Sequence, residues 1–100
     1  MFEDRKYDRL AAVPLMRGAA ERYVEKGIRP GQCLTAIICN DLFLAFAYAD
    51  PETTLLMAEI CKWMYNDIPG PAWGSKKQME AWIDAGGVEG HMEARGKENA

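Results

Sequence analysis

Residues 32–49, QCLTAIICNDLFLAFAYA, are apolar at almost every position, and no other stretch limits the possible folds as strongly. The run is too long for one strand and lacks strict alternation, so it reads as a helix. At about 100° per residue, Leu34, Ile37, Ile38, Ala45 and Ala49 share one side, while Cys39, Phe43, Phe46 and Ala47 cover much of the other. A helix apolar on both sides is expected at the centre of a bundle, buried by its neighbours. Yet the run holds an amide and a carboxylate, Asn40 and Asp41. On a continuous helix Asp41 falls in the row of Leu34, Ile37, Ala45 and Tyr48, and Asn40 lies about 100° away, near Cys33, Leu44 and Ala47. An unpaired buried carboxylate is costly. Two explanations stay open: an internal partner, such as a helix N-terminus, a tryptophan N–H or an arginine of the first helix, or a partly open stripe on which the pair meets another molecule.

The flanking segments read as further helices. Pro14 suits a first turn, and residues 14–26 place Leu15, Ala19, Tyr23 and Val24 on one face, with Gly27 as the stop and Arg29-Pro30-Gly31 as a break. Asp50 before Pro51 is a helix-start signal, and the segment to about Asn66 sets Leu56, Ile60, Trp63 and Met64 at helical spacing. Ser75 and Gln78 have capping-box spacing for a short helix carrying Met79, Trp82 and Ile83, which stops at Gly86-Gly87. The first ten residues have room for a further turn or two. The expected fold is all-α, a compact bundle of four to five helices around the central apolar helix. Residues 1–90 make one domain, and residues 91–100 a flexible polar tail whose apolar content is too low to offset its ordering entropy.

With 49% hydrophobic and 27% charged residues, the chain has enough apolar material for a core without metal or disulfide staples. Its three cysteines, Cys33, Cys39 and Cys61, are odd in number and sit in apolar stretches, so free buried thiols in a reducing compartment are expected. The charged N-terminus lacks the apolar core of a secretory signal, and Asn40, Asp41 and Asp50 interrupt the longest apolar run, so a cytoplasmic protein is expected. The net charge of −3 is uneven: seven Lys/Arg against five Asp/Glu in residues 1–29, one Lys against five Asp/Glu in 30–75, and a near balance beyond. Direct nucleic-acid binding needs a clustered basic footprint and has weak support here, whereas an acidic middle is drawn to a basic surface.

No catalytic or metal motif stands out. His91 has no ligand cluster at metal spacing, no Ser-His or Cys-His couple can be assembled, and Glu59 and Asp67 read as solvated carboxylates. The expectation is a protein without enzymatic activity, cofactor or metal. Trp63, Trp73 and Trp82 read first as core and clamp residues, with Trp73 also a candidate interface anchor. Arg5, Lys6, Arg9, Arg17, Arg22, Lys26 and Arg29 read as a solvated face, and the apolar second helix does not suit a DNA-recognition helix.

Taken together, Gly27, Pro30, Gly31, Leu34, Thr35, Ala36, Asn40, Asp41, Leu42, Ala49, Asp50, Trp63, Tyr65, Asn66, Pro69, Trp73, Gly74 and Ser75 form a pattern over about half the chain. It resembles a family of small phage and prophage proteins, some of whose members are anti-CRISPR proteins acting on the type I-F surveillance complex. The resemblance implies a non-enzymatic inhibitor in the host bacterial cytosol that binds Cas proteins of that protein–RNA effector and keeps target DNA from engaging it. Such effectors hold nucleic acid in positively charged channels. Asn40, Asp41, Asn66, Asp67 and Trp73 are the expected partner-binding residues, with carboxylates standing in for phosphate. The alternative is a phage accessory protein forming a small helical homodimer whose exposed apolar helix pairs with itself, for which Met16, Met57, Met64 and Met79 would suit an adaptable interface as well as a core.

Overall fold

The computed structural model describes Tyr7, Leu10 and residues 13–99, with side chains as far as residue 94. Any turn within the first ten residues, and the basic residues Arg5, Lys6 and Arg9, lie outside the described residues except for Tyr7 and Leu10. The fold is all-α. In chain order the helices are α1 (Pro14–Lys26), α2 (Gln32–Ile38), α3 (Leu42–Tyr48), α4 (Pro51–Leu55), α5 (Met57–Asp67), a 3-10 turn (Gly70–Ala72), α6 (Lys76–Ala85) and α7 (Gly87–Asn99).

Local chemistry explains most boundaries. The Asp50 carboxylate accepts from Thr53 N–H at 2.7 Å to start α4, and Ser75 Oγ accepts from Gln78 N–H at 3.1 Å to start α6. Gly27 ends α1 in the left-handed conformation, φ 70°, with its N–H on Tyr23 O at 2.9 Å. The expected segment from Pro51 to Asn66 is two helices, because Leu56 at φ −101°, ψ 7° bends the chain between α4 and α5.

The central helix expected over residues 32–49 does not exist as one piece. The chain stops at Ile38 and restarts at Leu42, and α3 folds back on α2, placing the Cys33 thiol 3.4 Å from Ala45 O. The side bearing Leu34, Ile37, Ile38 and Ala45 is buried, as periodicity demanded, but Phe43, Phe46 and Ala47 face outward.

The core instead gathers around Tyr23, Trp63 and Trp82, helped by Ile38, Ile60, Met64 and Met79. Polar atoms in it are paired. Trp82 Nε1 donates to both Tyr23 O and Val24 O at 3.2 Å, and Tyr23 Oη donates to Ala72 O at 2.6 Å, tying α1 to α6 and to the 3-10 turn. Burial pushes the Tyr23 hydroxyl far above the ordinary phenol range, so it stays a donor. Met57, Met64 and Met79 belong to this core, with Met16 packed against it.

Two further expectations change. Leu15 is 92% exposed, and the buried arc of α1 runs through Ala20, Tyr23 and Val24, one turn and more beyond it. Cys33 and Cys39 are half-buried and Cys61 exposed; all three are free thiols, but none is sealed in the core. Residues 87–99 form α7, which packs along α1. That packing depends on two glycines: a Cβ on Gly87 would stand 2.6 Å from Gly27 N, so any larger residue would hold the two backbones apart. The His91 ring then stacks on Trp82 with centroids 4.7 Å apart, while His91 Nδ1 lies 2.8 Å from Gly87 O.

Candidate functional site

Asn40 and Asp41 act as one device that ends a helix and begins the next. Asn40 adopts φ 61°, the left-handed region that asparagine tolerates better than other residues with a Cβ. With it there, Asn40 N–H reaches Ile37 O at 3.1 Å and Asp41 N–H reaches Ala36 O at 2.9 Å, the hydrogen-bond pair of a Schellman stop. The Asp41 side chain then accepts from Leu44 N–H at 3.2 Å and caps α3. Both residues are exposed, so neither stands in the buried row that a straight helix would have imposed.

The corner adjoins the Trp73 loop. Gly74 N–H donates to Ile38 O at 2.7 Å, fastening residues 73–75 to the end of α2. The Trp73 ring meets Tyr65 of α5 edge-on, with centroids 6.0 Å apart, so the end of α5 is drawn to the same edge. Trp73 is half-buried, and its Nε1 has no hydrogen-bond partner among the described residues. Asn66 and Asp67 close α5 and are exposed; the Asn66 amide donates to Lys62 O at 2.9 Å. Of the five expected binding residues, then, Asn40, Asp41 and Trp73 border segments that touch, and Asn66 and Asp67 follow Tyr65 on a neighbouring element.

Electrostatically this edge is mixed. A groove of about 520 Å³ lies between α2, α3 and α6, with Ala36, Leu44 and Met79 among its apolar lining and Arg29, Lys76 and Asp41 among its charged residues. Arg29 grips Glu80 with both terminal nitrogens, at 2.8 and 2.5 Å, and this holds the Glu80 carboxyl below its usual range. Burial, aided by Glu80, pushes the Cys39 thiol on the groove wall up, so it is neutral and a poor nucleophile at pH 7. Two carboxylates of the acidic middle segment, Asp41 and Asp50, are engaged in helix capping, and Asp50 is held below the usual range by its hydrogen bonds to Thr53. Among the described residues no group of three or more His, Cys, Asp and Glu is placed to hold a metal ion, and no helix is long and apolar enough to cross a membrane.

The feature that sequence reasoning missed is α3 itself. Ala45 is buried against α2, whereas Phe43 is 86% exposed, Leu42 57%, and Leu44, Phe46 and Tyr48 between 42% and 47%. The signal was present: an Asn-Asp pair followed by LFLAFAY is a stop and a start, after which a short helix apolar all round has more faces than its neighbours can cover. No family model matches the chain, and neither a curated protein nor a solved structure shows significant similarity to it.

Proposed function

We propose that this chain acts by stoichiometric binding, without turnover, and that its partner is a type I-F crRNA-guided surveillance complex whose engagement of target DNA it blocks. The choice of partner rests on the phage-type pattern from Gly27 to Ser75. The mode of action is supported by one observation: the Asn40-Asp41 pair and Trp73, which are far apart in that pattern, border one solvent-facing edge whose segments are joined by the Gly74–Ile38 hydrogen bond.

Occupancy matters more than charge in this reading. Asp41 and Asp67 offer carboxylates to a basic channel, but Arg29 and Lys76 stand beside Asp41, so the edge is not a continuous phosphate mimic. A compact helical body seated on the effector would exclude DNA sterically, with Trp73 as a rigid anchor and Asn40 and Asp41 as polar contacts at its rim.

The test is a pull-down of the purified chain with an assembled surveillance complex, followed by a target-DNA gel shift. Stoichiometric capture with loss of the DNA complex supports the proposal, and absence of binding at micromolar protein sinks it. Asp41→Ala refines the result. Losing the cap should lower stability by about 1 kcal/mol, and an interfacial Asp41 adds a loss of binding at temperatures where the variant is still fully folded.

A further inference from the structure

At about 100° per residue, the buried Ala45 of α3 fixes which side chains point straight out. They are Phe43 and Ala47; Leu42 and Phe46 flank them on one side, and Leu44 and Tyr48 on the other. The outer ridge therefore has a large ring and, one turn on, a bare methyl, with no charged residue anywhere between Leu42 and Tyr48.

We infer that this ridge pairs with a second copy of itself, the two α3 helices lying antiparallel across a twofold axis at the level of Ala45, so that each Phe43 ring covers the other copy's Ala47. A twofold contact must be self-complementary, residue i meeting j as j meets i. Positions 43 and 47 satisfy this because they are equidistant from position 45 and differ in size as knob and hole. The same register sets each Asp41 level with Ala49 of the other copy, so the capping carboxylates do not face one another.

The area also fits. At about 200 Å² for an aromatic side chain, and somewhat less for leucine, the exposed parts of Leu42, Phe43, Leu44, Phe46 and Tyr48 come to roughly 500 Å² per copy. Two ridges with their polar margins reach the neighbourhood of ~1,200 Å², the low end for specific interfaces and the size at which weak associations are found. This surface adjoins the Trp73 edge, sharing Leu44 and Tyr48 with the groove beside Asp41, but it does not depend on the identity of the partner proposed above.

Sedimentation velocity on the purified full chain, from about 1 to 200 µM, tests it. The wild type should shift from monomer to dimer with rising concentration. Phe43→Ala should weaken association by about 30-fold or more, since each dimer loses two buried rings. Ala47→Phe should weaken it too, by setting ring against ring. The double variant Phe43→Ala/Ala47→Phe exchanges knob and hole and should recover association to within about threefold of wild type. Both positions are solvent-facing, so circular dichroism should show all variants folded. A wild type that stays monomeric, a dimer indifferent to Phe43→Ala, or a double variant no better than Ala47→Phe alone each overturns the proposal. None of these readouts uses the surveillance complex, so failure here and failure of the pull-down are separate results.

Discussion

The helix α6 and the helix α3 show how little hydrophobicity alone says about burial. In α6 the large apolar side chains Met79, Trp82 and Ile83 fall on one arc, the rest is polar or alanine, and the arc is covered by α1 and the 3-10 turn. In α3 all seven residues, LFLAFAY, are apolar or aromatic, so such side chains point in every direction, and only Ala45 is buried. A one-sided helix can be satisfied by one neighbour. A helix apolar all round needs several, and the break at Asn40 leaves α3 with α2 behind it and solvent in front.

The comparison can be broken most sharply at its two largest rings. Trp82→Ala should cost about 3–5 kcal/mol in urea denaturation, because it removes a buried indole together with the N–H that Tyr23 O and Val24 O share. Phe43→Ala, at a concentration too low for self-association, should stay within about 0.5 kcal/mol of wild type. Equal losses at the two sites would mean that Phe43 is covered within the monomer.

A smaller effect is expected at the hinge that created the difference. Asn40→Val forces a β-branched residue to φ 61° and should destabilise the fold by about 1–2 kcal/mol. Asn40→Gly, which accepts that conformation freely, should be neutral within a few tenths of a kcal/mol. If valine is tolerated as well as glycine, the corner has another conformation open to it, and a straight helix through residues 32–49 regains its standing.

The smallest effect concerns the Arg29–Glu80 pair, which ties the residue 28–31 connection to α6 on the exposed surface. Glu80 is held below its ordinary value when folded, so the folded state binds fewer protons there than the unfolded state does as the pH drops. Its contribution is therefore complete above the unfolded glutamate value and disappears as pH falls through the lower, folded one. Solvent and salt screen the pair, so a stability profile of Glu80→Gln should lose only a shallow acid-side slope, and that loss should shrink at high ionic strength.

How much of this was legible in the chain depends on the range of the interaction. Asp50-Pro51, Ser75-x-x-Gln78, Gly27 and Gly86 named their helix ends because capping and left-handed stops are decided within four residues. Asn40-Asp41 belonged to the same class of signal and carried both halves of it. Hydrophobic periodicity over 32–49 masked it, since the buried row stays in phase across the break until Ala45. The Trp73 edge was legible only as residue types: nothing local to Gly74 announces that its N–H will meet Ile38 O.

The sequence by itself determined an all-helical chain, the ends of most helices and the buried faces of α5 and α6, because caps and 3.6-residue periodicity act within a turn or two. Only the tertiary structure decided that α3 would fold back on α2 with its apolar side outward, that α7 would lie along α1 through Gly27 and Gly87, and that Asn40, Asp41 and Trp73 would border one edge. Those outcomes depend on which surfaces are left uncovered once every helix competes for the same core, a sum over the whole chain that no local stretch contains.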